Sequence, residues 1–361
     1  MARVGLGELI NLARVIASGR LMHQDDRADS FTRRFEAGLC AELGASCALT
    51  VNSGTSALVV ALAAAGVGPG DEVLVPAFTW VSTAAAPLAL GAVPVLVDVD
   101  ESLSMSPSDL RRKITPRTKA VMPVHMMNLV CNMDAIMEIA RANGILVIED
   151  ACQSLGVKYH DRYVGTIGDI GVYSFNQFKT LSAGEGGALV IDNEHLAHRA
   201  RVYHDVGTHS SAYGVDGHDL DFTGLNFRVS ELTSAVLCAQ LPRLAPRIGR
   251  LRARRRRVLA RLPKTGSGRP SPHNDPGNAV GLTLLFDEQA EAVSYAERDR
   301  AAVRIIDLGK YAYTDWLPVL ANDRARRRHG HEGERSGGNY DEEACGRTLD
   351  LLSRTCFVSL A

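Results

Sequence analysis

Between about residue 45 and residue 200 the chain alternates short apolar runs with helix-forming stretches, and nothing else in the sequence narrows the fold as much. "CALTV" is short and apolar; "TSALVVALAAAG" has helical composition and stops at Gly66. "DEVLVP", "VPVLVDVD", "KAVMPVH", "ILVIED", "GVYSF" and "GALVID" repeat the strand pattern, with "STAAAPLALGA" and "NMDAIMEIARANG" as helices among them. Short apolar strands separated by helices predict crossover units and a mostly parallel sheet covered on both faces. A mainly helical stretch follows over 194–241, with a polar insertion "HDVGTHSSAYGVDGHDLDFTG". "LPKTGSGRPSPHNDPGNA", around 262–280, reads as a loop rich in Pro and Gly, and a smaller α/β segment starts near 281.

The bulk numbers exclude several classes. With 361 residues, 46% of them hydrophobic and 22% charged, the chain is long enough for one large α/β domain and a smaller one. A net charge of -1 gives no general affinity for nucleic acid or acidic membranes. The run "RARRRR" at 252–257 therefore reads as a solvated helix face; no aromatic residues are interleaved with it. No apolar run reaches the roughly 20 residues of a membrane helix. The amphipathic start "MARVGLGELINLARVIASGR" contains Glu8 and is not read as a secretory signal. The seven cysteines are scattered without CxxC spacing, which fits reduced thiols in a cytoplasmic protein rather than a zinc or iron–sulfur site. His329 and His331 fall in a second polar loop, 322–339, read as mobile rather than metal-binding.

Four motifs point to one chemistry. In "VNSGTSAL" a strand runs into Ser-Gly-Thr-Ser and a helix, which suits a phosphate at a helix N-terminus or, more plainly, a helix cap. In "VIEDACQS" Glu149 and Asp150 end a buried strand, where open α/β sheets bind ligands; Asp150 suits a cationic ring nitrogen, or again a cap. In "TWVST" Trp80 follows a strand end and offers a ring to stack on a flat cofactor, or simply packs in the core. In "YSFNQFKTLSAGEGGALV" Ser174 ends a strand and Lys179 follows five residues later; an amine in such a site attacks carbonyls. A carbonyl-binding amine, a phosphate cradle, an acid for a ring nitrogen and a stacking aromatic together describe a pyridoxal-phosphate site.

"NSGTSAL", "GDEVLVPAFTWVST", "GAVPVLVDVD", "VIEDACQSLGVKYHDRYVGTIGDIGVYSF", "KTLSAGEGGALVIDN" and "GLNFRVSELTSAVLCAQL" closely resemble the DegT/DnrJ/EryC1/StrS family, strongly over residues 5–245. The resemblance implies a pyridoxal-phosphate-dependent aminotransferase of fold type I acting on keto-sugars or keto-cyclitols, in antibiotic or glycan biosynthesis. It implies a PLP-binding large domain (1–245) with a seven-stranded sheet, a smaller C-terminal α/β domain (246–361), and a homodimer with shared active sites. By position, Lys179 matches the Schiff-base lysine and Asp150 the acid under the pyridine nitrogen. Gln153 matches the residue on the ring-hydroxyl side, and Trp80 the stacked aromatic. Gly54, Thr55 and Ser174 match the phosphate binders, and Asn226 the residue reaching the phosphate from the partner subunit, with Arg228 in the same motif. Glutamate or glutamine is the implied donor.

Dehydratases among the relatives resemble this pattern with histidine at the lysine position; Lys179 favours transamination over that branch and over a non-catalytic, cofactor-binding sensor or partner subunit. The resemblance is weak after residue 245, and implies one more helix beyond the last residue. Two departures stand out. Met126, Met127, Leu129 and Val130 make one loop more apolar than the family pattern, which suits either ordinary packing or a less polar substrate. Tyr311, Tyr313 and Trp316 suit either a substrate-facing loop or the core.

Overall fold

The computed structural model describes residues 4–22, 30–207, 223–262, 268–316, 340 and 343–360. The loop with His329 and His331, and most of the polar insertion after His204, lie outside the described residues. In chain order the elements are α1 (Leu6–Ser18), α2 (Phe31–Leu43), β1 (Cys47–Val51), α3 (Gly54–Ala64), β2 (Glu72–Pro76), α4 (Ser82–Ala89), β3 (Val93–Val97) and α5 (Pro107–Lys113). Then come β4 (Thr118–Val121), α6 (Met133–Asn143), β5 (Leu146–Asp150), β6 (Lys158–Tyr159), β7 (Arg162–Tyr163), β8 (Ile170–Ser174), β9 (Gly187–Ile191), α7 (Glu194–His204), α8 (Glu231–Gln240) and α9 (Leu244–Leu259). The last are β10 (Arg269–Pro270), β11 (Thr283–Leu285), α10 (Gln289–Arg298), β12 (Ala302–Arg304), α11 (Gly346–Ser353) and β13 (Thr355–Val358).

Seven strands pair in the order β1-β9-β8-β5-β4-β2-β3. The pairs from β8 through β5, β4 and β2 to β3 are parallel, as the alternation of strands and helices predicts. Strand β9 is antiparallel to both its neighbours. An apolar pentapeptide carries no mark of its direction; the reversal comes from the direct β8–β9 connection, which has no crossover helix.

Two compact units make up the chain. The first comprises Met1–Val67, Ile148–Gly156 and Arg162–Arg247. Its central helix α3, "GTSALVVALAA", is buried at every position except Thr55, which explains its lack of a polar face. Glu8, fully buried on α1, is bound by two nitrogens of Arg243 at 2.7 and 3.1 Å. Glu231, opening α8, accepts from the Ser30 hydroxyl and from the amides of Phe31 and Thr32, which ties α2 to α8.

The second unit comprises Gly68–Val147, Val157–Asp161 and Ile248–Ala361. It holds a four-stranded antiparallel sheet of order β10-β11-β13-β12. Met126, Leu129 and Val130 are buried, and the first two pack in a cluster with Phe78, Leu285 and Leu352; the apolar loop is core packing. Tyr313 and Trp316 are core as well, leaving Tyr311 at the edge of that cluster. Three arginines of the basic run on α9 hold this unit's own loops: Arg252 bonds Asn278, Arg254 the carbonyl of Leu360, and Arg255 the carbonyl of Gly281. Among the described residues no helix is long and apolar enough to cross a membrane.

Candidate active site

Three strand ends of the first unit carry the site. At the end of β1, Ser53 caps α3: its hydroxyl accepts from the Ser56 amide at 3.0 Å. The cap reading of "VNSGTSAL" is the one the structure shows. Ser53 is a plain N-cap, and the first turn of α3, opened by Gly54 and Thr55, presents the positive end of the helix dipole. Thr55 is exposed on that turn. A Cβ added at Gly54 would lie 2.8 Å from the Ser174 Cβ and 3.1 Å from the Cys152 Sγ. Only glycine lets the backbone come this close to the ends of β8 and β5.

At the end of β5 two neighbouring acids part ways, because successive strand residues face opposite sides. Glu149 is fully buried and accepts three backbone N–H groups, from Gly165 at 2.8 Å and from Ile167 and Gly168 at 2.6 Å each. Its role is to fold that turn. Gly165 sits there at φ 91°, where a Cβ would be 2.3 Å from the Tyr173 hydroxyl. Asp150, 5% exposed, is on the other side, and its Oδ1 accepts from the Cys152 amide at 3.1 Å. Gln153 follows, half-buried, in the turn after β5.

Lys179 lies on the β8–β9 connection. Ser174, buried at the end of β8, accepts weakly from the Asn176 amide at 3.4 Å. Asn176 pairs with Gly184 across the loop, and the Gln177 amide donates to the Gly184 carbonyl. The Lys179 amide donates to the Asn176 carbonyl at 2.9 Å. From α8, Gln240 donates to the Ser182 carbonyl and accepts from its amide, while Arg247 donates to the Thr180 carbonyl. The backbone around Lys179 is thus held on both sides. Its half-buried side chain makes no hydrogen bond or ion pair among the described residues.

Cys152 is the site residue that motif reasoning missed. Burial pushes its thiol well above the ordinary range; the Asp150 carboxylate raises it further and the Lys179 ammonium lowers it. The sulfur therefore lies where the charges of Asp150 and Lys179 both reach it, against Gly54. Only the spacing of cysteines entered the sequence reading, and a single thiol beside Asp150 gives no spacing signal.

Asn226 is exposed, its backbone bridges antiparallel to Asp205, and its side chain accepts from the Arg228 amide at 3.2 Å. Arg228 in turn is paired with buried Asp205. The Asn52 amide donates to the Phe227 carbonyl at 2.9 Å, so this segment is fastened beside the start of α3. Trp80 belongs to the second unit, on the loop between β2 and α4, and is 45% exposed. It does not pack in the core.

The model of the DegT/DnrJ/EryC1/StrS aminotransferase family matches residues 11–296. The chain belongs to this family. It is 35% identical over 311 residues to the spore coat polysaccharide biosynthesis protein SpsC of Bacillus subtilis, covering 83% of this chain and 79% of that protein. It is 40% identical over 210 residues to a putative L-glutamine:3-amino-2,3-dideoxy-scyllo-inosose aminotransferase of Streptoalloteichus tenebrarius, covering 58% of this chain and 50% of that protein. Among solved structures, 3-amino-5-hydroxybenzoic acid synthase superposes with a TM-score of 0.81 at 27% identity, covering 99% of this chain and 91% of that one. The family member described here is an aminotransferase of fold type I, and its cofactor is pyridoxal phosphate. The residues present fit that group: a cradle that a Cβ at Gly54 would fill, a buried carboxylate at Asp150, and an amine at Lys179 on a fixed loop.

Proposed function

We propose that the enzyme moves an amino group from glutamate or glutamine to a keto-sugar, keto-cyclitol or related cyclic ketone, in antibiotic or glycan biosynthesis. One observation supports the reading most: the Cys152 amide donates to Asp150 Oδ1 at 3.1 Å, and a Cβ at Gly54 would meet the Cys152 Sγ at 3.1 Å and the Ser174 Cβ at 2.8 Å, so the acid, the start of α3 and the end of β8 adjoin. The family and the ring-shaped products named for its relatives support the acceptor class.

In this reading Gly54, Thr55 and Ser174 bind the cofactor phosphate at the α3 N-terminus. Asp150 pairs with the ring nitrogen, Gln153 supports the hydroxyl side, and Trp80 stacks on the ring. Bound pyridoxal phosphate supplies an electron sink for the carbanion formed at the donor carbon. Lys179 holds the cofactor in the resting enzyme. Lys179 Nζ, released from that role by the donor amine, would serve as the general base that takes the proton from the donor carbon and then as the general acid that returns it. Asp150, beside the ring nitrogen, would hold a proton there throughout. The donor leaves as its 2-oxo acid; the acceptor runs the same steps in reverse and leaves as an amine.

Asn226, which is exposed, acts from a partner subunit, and exposed apolar side chains on α1 (Leu6, Leu9 and Ile16) give a homodimer surface to bury. All seven cysteines are free, in keeping with the cytoplasm. By chain order the reading assigns residues 1–245 to cofactor binding and 246–361 to a smaller domain holding the antiparallel sheet β10–β13; the compact units cut across that division, because Gly68–Val147 and Val157–Asp161 group with Ile248–Ala361.

The test is the visible spectrum of the purified protein with glutamine and glutamate added separately. The yellow band should bleach with one of them, and borohydride reduction followed by peptide mapping should place the label on Lys179. Lys179→Ala should bind the cofactor and transfer nothing; measurable turnover in that variant sinks the assignment.

A further inference from the structure

Trp80 is the aromatic among the proposed cofactor contacts; its side chain stands half in solvent, and its indole makes no hydrogen bond among the described residues. Its backbone is well held: the Trp80 carbonyl accepts from the Thr83 amide at 3.0 Å, and the Thr79 and Thr83 hydroxyls bond at 2.9 Å. The orientation of the ring has a different source. The Tyr311 ring meets the indole edge-on, centroids 6.1 Å apart at 66°. Tyr311 is itself wedged edge-on against buried Phe78 at 6.4 Å and 89°, with the Lys310 ammonium 5.1 Å from its centroid.

This wedge stands on a rigid base. Residues 77–79 and 311–313 pair as a short antiparallel bridge: Phe78 opposes Ala312, the Thr79 amide donates to the Tyr311 carbonyl at 3.0 Å, and the Tyr313 amide donates to the Ala77 carbonyl at 2.9 Å. The Asp315 carboxylate accepts from the Ala312 amide at 3.1 Å, and buried Trp316 donates its Nε1–H to the Lys310 carbonyl at 3.4 Å. A segment more than 200 residues beyond Trp80 therefore fixes both the loop that carries Trp80 and the ring that meets it.

We propose that Tyr311 is a positioning residue for the transamination: through its ring edge it sets the orientation of Trp80, and so the stacking of Trp80 on the cofactor ring. It touches no reacting atom. This rests on the reading above that Trp80 stacks on pyridoxal phosphate. A half-exposed indole without such a prop samples several rotamers, and the fraction not facing the cofactor lowers the apparent affinity in proportion. Edge-to-face aromatic pairs of this kind correspond to a factor of roughly two to ten in an equilibrium.

The full chain, freed of cofactor, is titrated with pyridoxal phosphate and followed by visible absorbance and by the circular dichroism of the bound cofactor, which reports the asymmetry of the ring's surroundings. The variants are Tyr311→Phe, Tyr311→Ala, Trp80→Ala and the double Trp80→Ala/Tyr311→Ala. Tyr311→Phe should bind within twofold of the parent, since the ring edge is kept. Tyr311→Ala should weaken binding roughly threefold to tenfold and lower the cofactor dichroism at saturation. With Trp80 already removed, the same substitution should change affinity by less than twofold, because nothing remains to be positioned. Tyr311→Leu fills the volume without a ring and should behave as Tyr311→Ala, which covers a fold defect in the smaller variant. Equal losses with and without Trp80 would overturn the inference and leave the cofactor site standing. A Trp80→Ala variant with parental affinity would overturn it together with the stacking role. A parent chain that binds no pyridoxal phosphate would bring down the functional reading itself.

Discussion

Glu149→Gln should destabilise the fold far more than Asp150→Asn, although the two acids are adjacent and each substitution removes one negative charge. Glu149 Oε1 accepts from the Ile167 and Gly168 amides and Oε2 from the Gly165 amide, all inside the protein. Glutamine keeps one acceptor oxygen and turns an NH2 group toward a third amide. If the oxygen stays with Ile167 and Gly168, the Gly165 N–H is left facing another donor. An orphaned buried donor costs about 1–3 kcal/mol, and two charge-assisted bonds reduced to neutral ones cost about 1 kcal/mol each. The sum is roughly 3–5 kcal/mol. Asp150→Asn retains an oxygen for the Cys152 amide and does not hold a turn of three amides, so its stability cost is the smaller of the two.

Urea unfolding of the cofactor-free proteins measures the difference, since bound cofactor would add its own stabilisation. The expected result is a much lower midpoint for Glu149→Gln and a smaller drop for Asp150→Asn. Activity reverses the order: if Asp150 has the role proposed for it, Asp150→Asn should lose turnover by orders of magnitude, because the group opposite the ring nitrogen is then neutral. A Glu149→Gln loss below about 1 kcal/mol, or equal losses for both variants, would refute the division of labour along β5.

Two further outcomes follow from the geometry. Gly54→Ala should raise the dissociation constant of pyridoxal phosphate by tenfold or more in an absorbance titration, because its Cβ would press on the Ser174 Cβ at 2.8 Å and on the Cys152 Sγ at 3.1 Å. His273 should make stability fall with acid: burial, with Arg255 adding to it, lowers its pKa from 6.5 to about 4. The unfolded chain then takes up a proton that the folded one refuses, so stability is complete above pH ~6.5 and declines by roughly 1–3 kcal/mol as pH drops to ~4. Denaturation midpoints against pH should show that slope, and His273→Asn should flatten it.

Much of the sheet was legible because its strands are short, apolar and bounded by turn residues, and because α3 and α6 begin at recognisable caps, Ser53 and Asn132. The direction of β9 was not legible, since it depends on the connection and not on the apolar run itself. The strand-end acids were legible as a pair, but not as two roles: the groups that claim Glu149 lie 16 to 19 residues further along and are all backbone amides. A backbone donor has no residue type to recognise. The apolar loop at Met126 and the aromatics Tyr313 and Trp316 admitted both packing and substrate contact, and only burial separated the two. Tyr311 escaped the same sorting because its partner Trp80 is remote in sequence and joined to it by ring contact alone.

On the proposed role of Lys179, the hydrogen bonds around it account for how this lysine is mounted. Gln240 and Arg247 grip the carbonyls of Ser182 and Thr180, and Asn176 closes the loop against Gly184. The backbone that bears Lys179 is therefore fixed, while its side chain makes no hydrogen bond or ion pair among the described residues. A transaminating lysine must occupy two places in one cycle: bonded to the cofactor at rest, then beside the carbons that exchange a proton. A carboxylate partner for Nζ would favour one of these positions and keep the amine charged, when proton removal needs it neutral. A loose backbone would spread Nζ over many positions and forfeit the advantage of a fixed reacting geometry. A fixed loop bearing a side chain that is unpaired among the described residues meets both demands, and it places the restraint in α8 and the start of α9, outside the residues Gly54, Asp150 and Ser174.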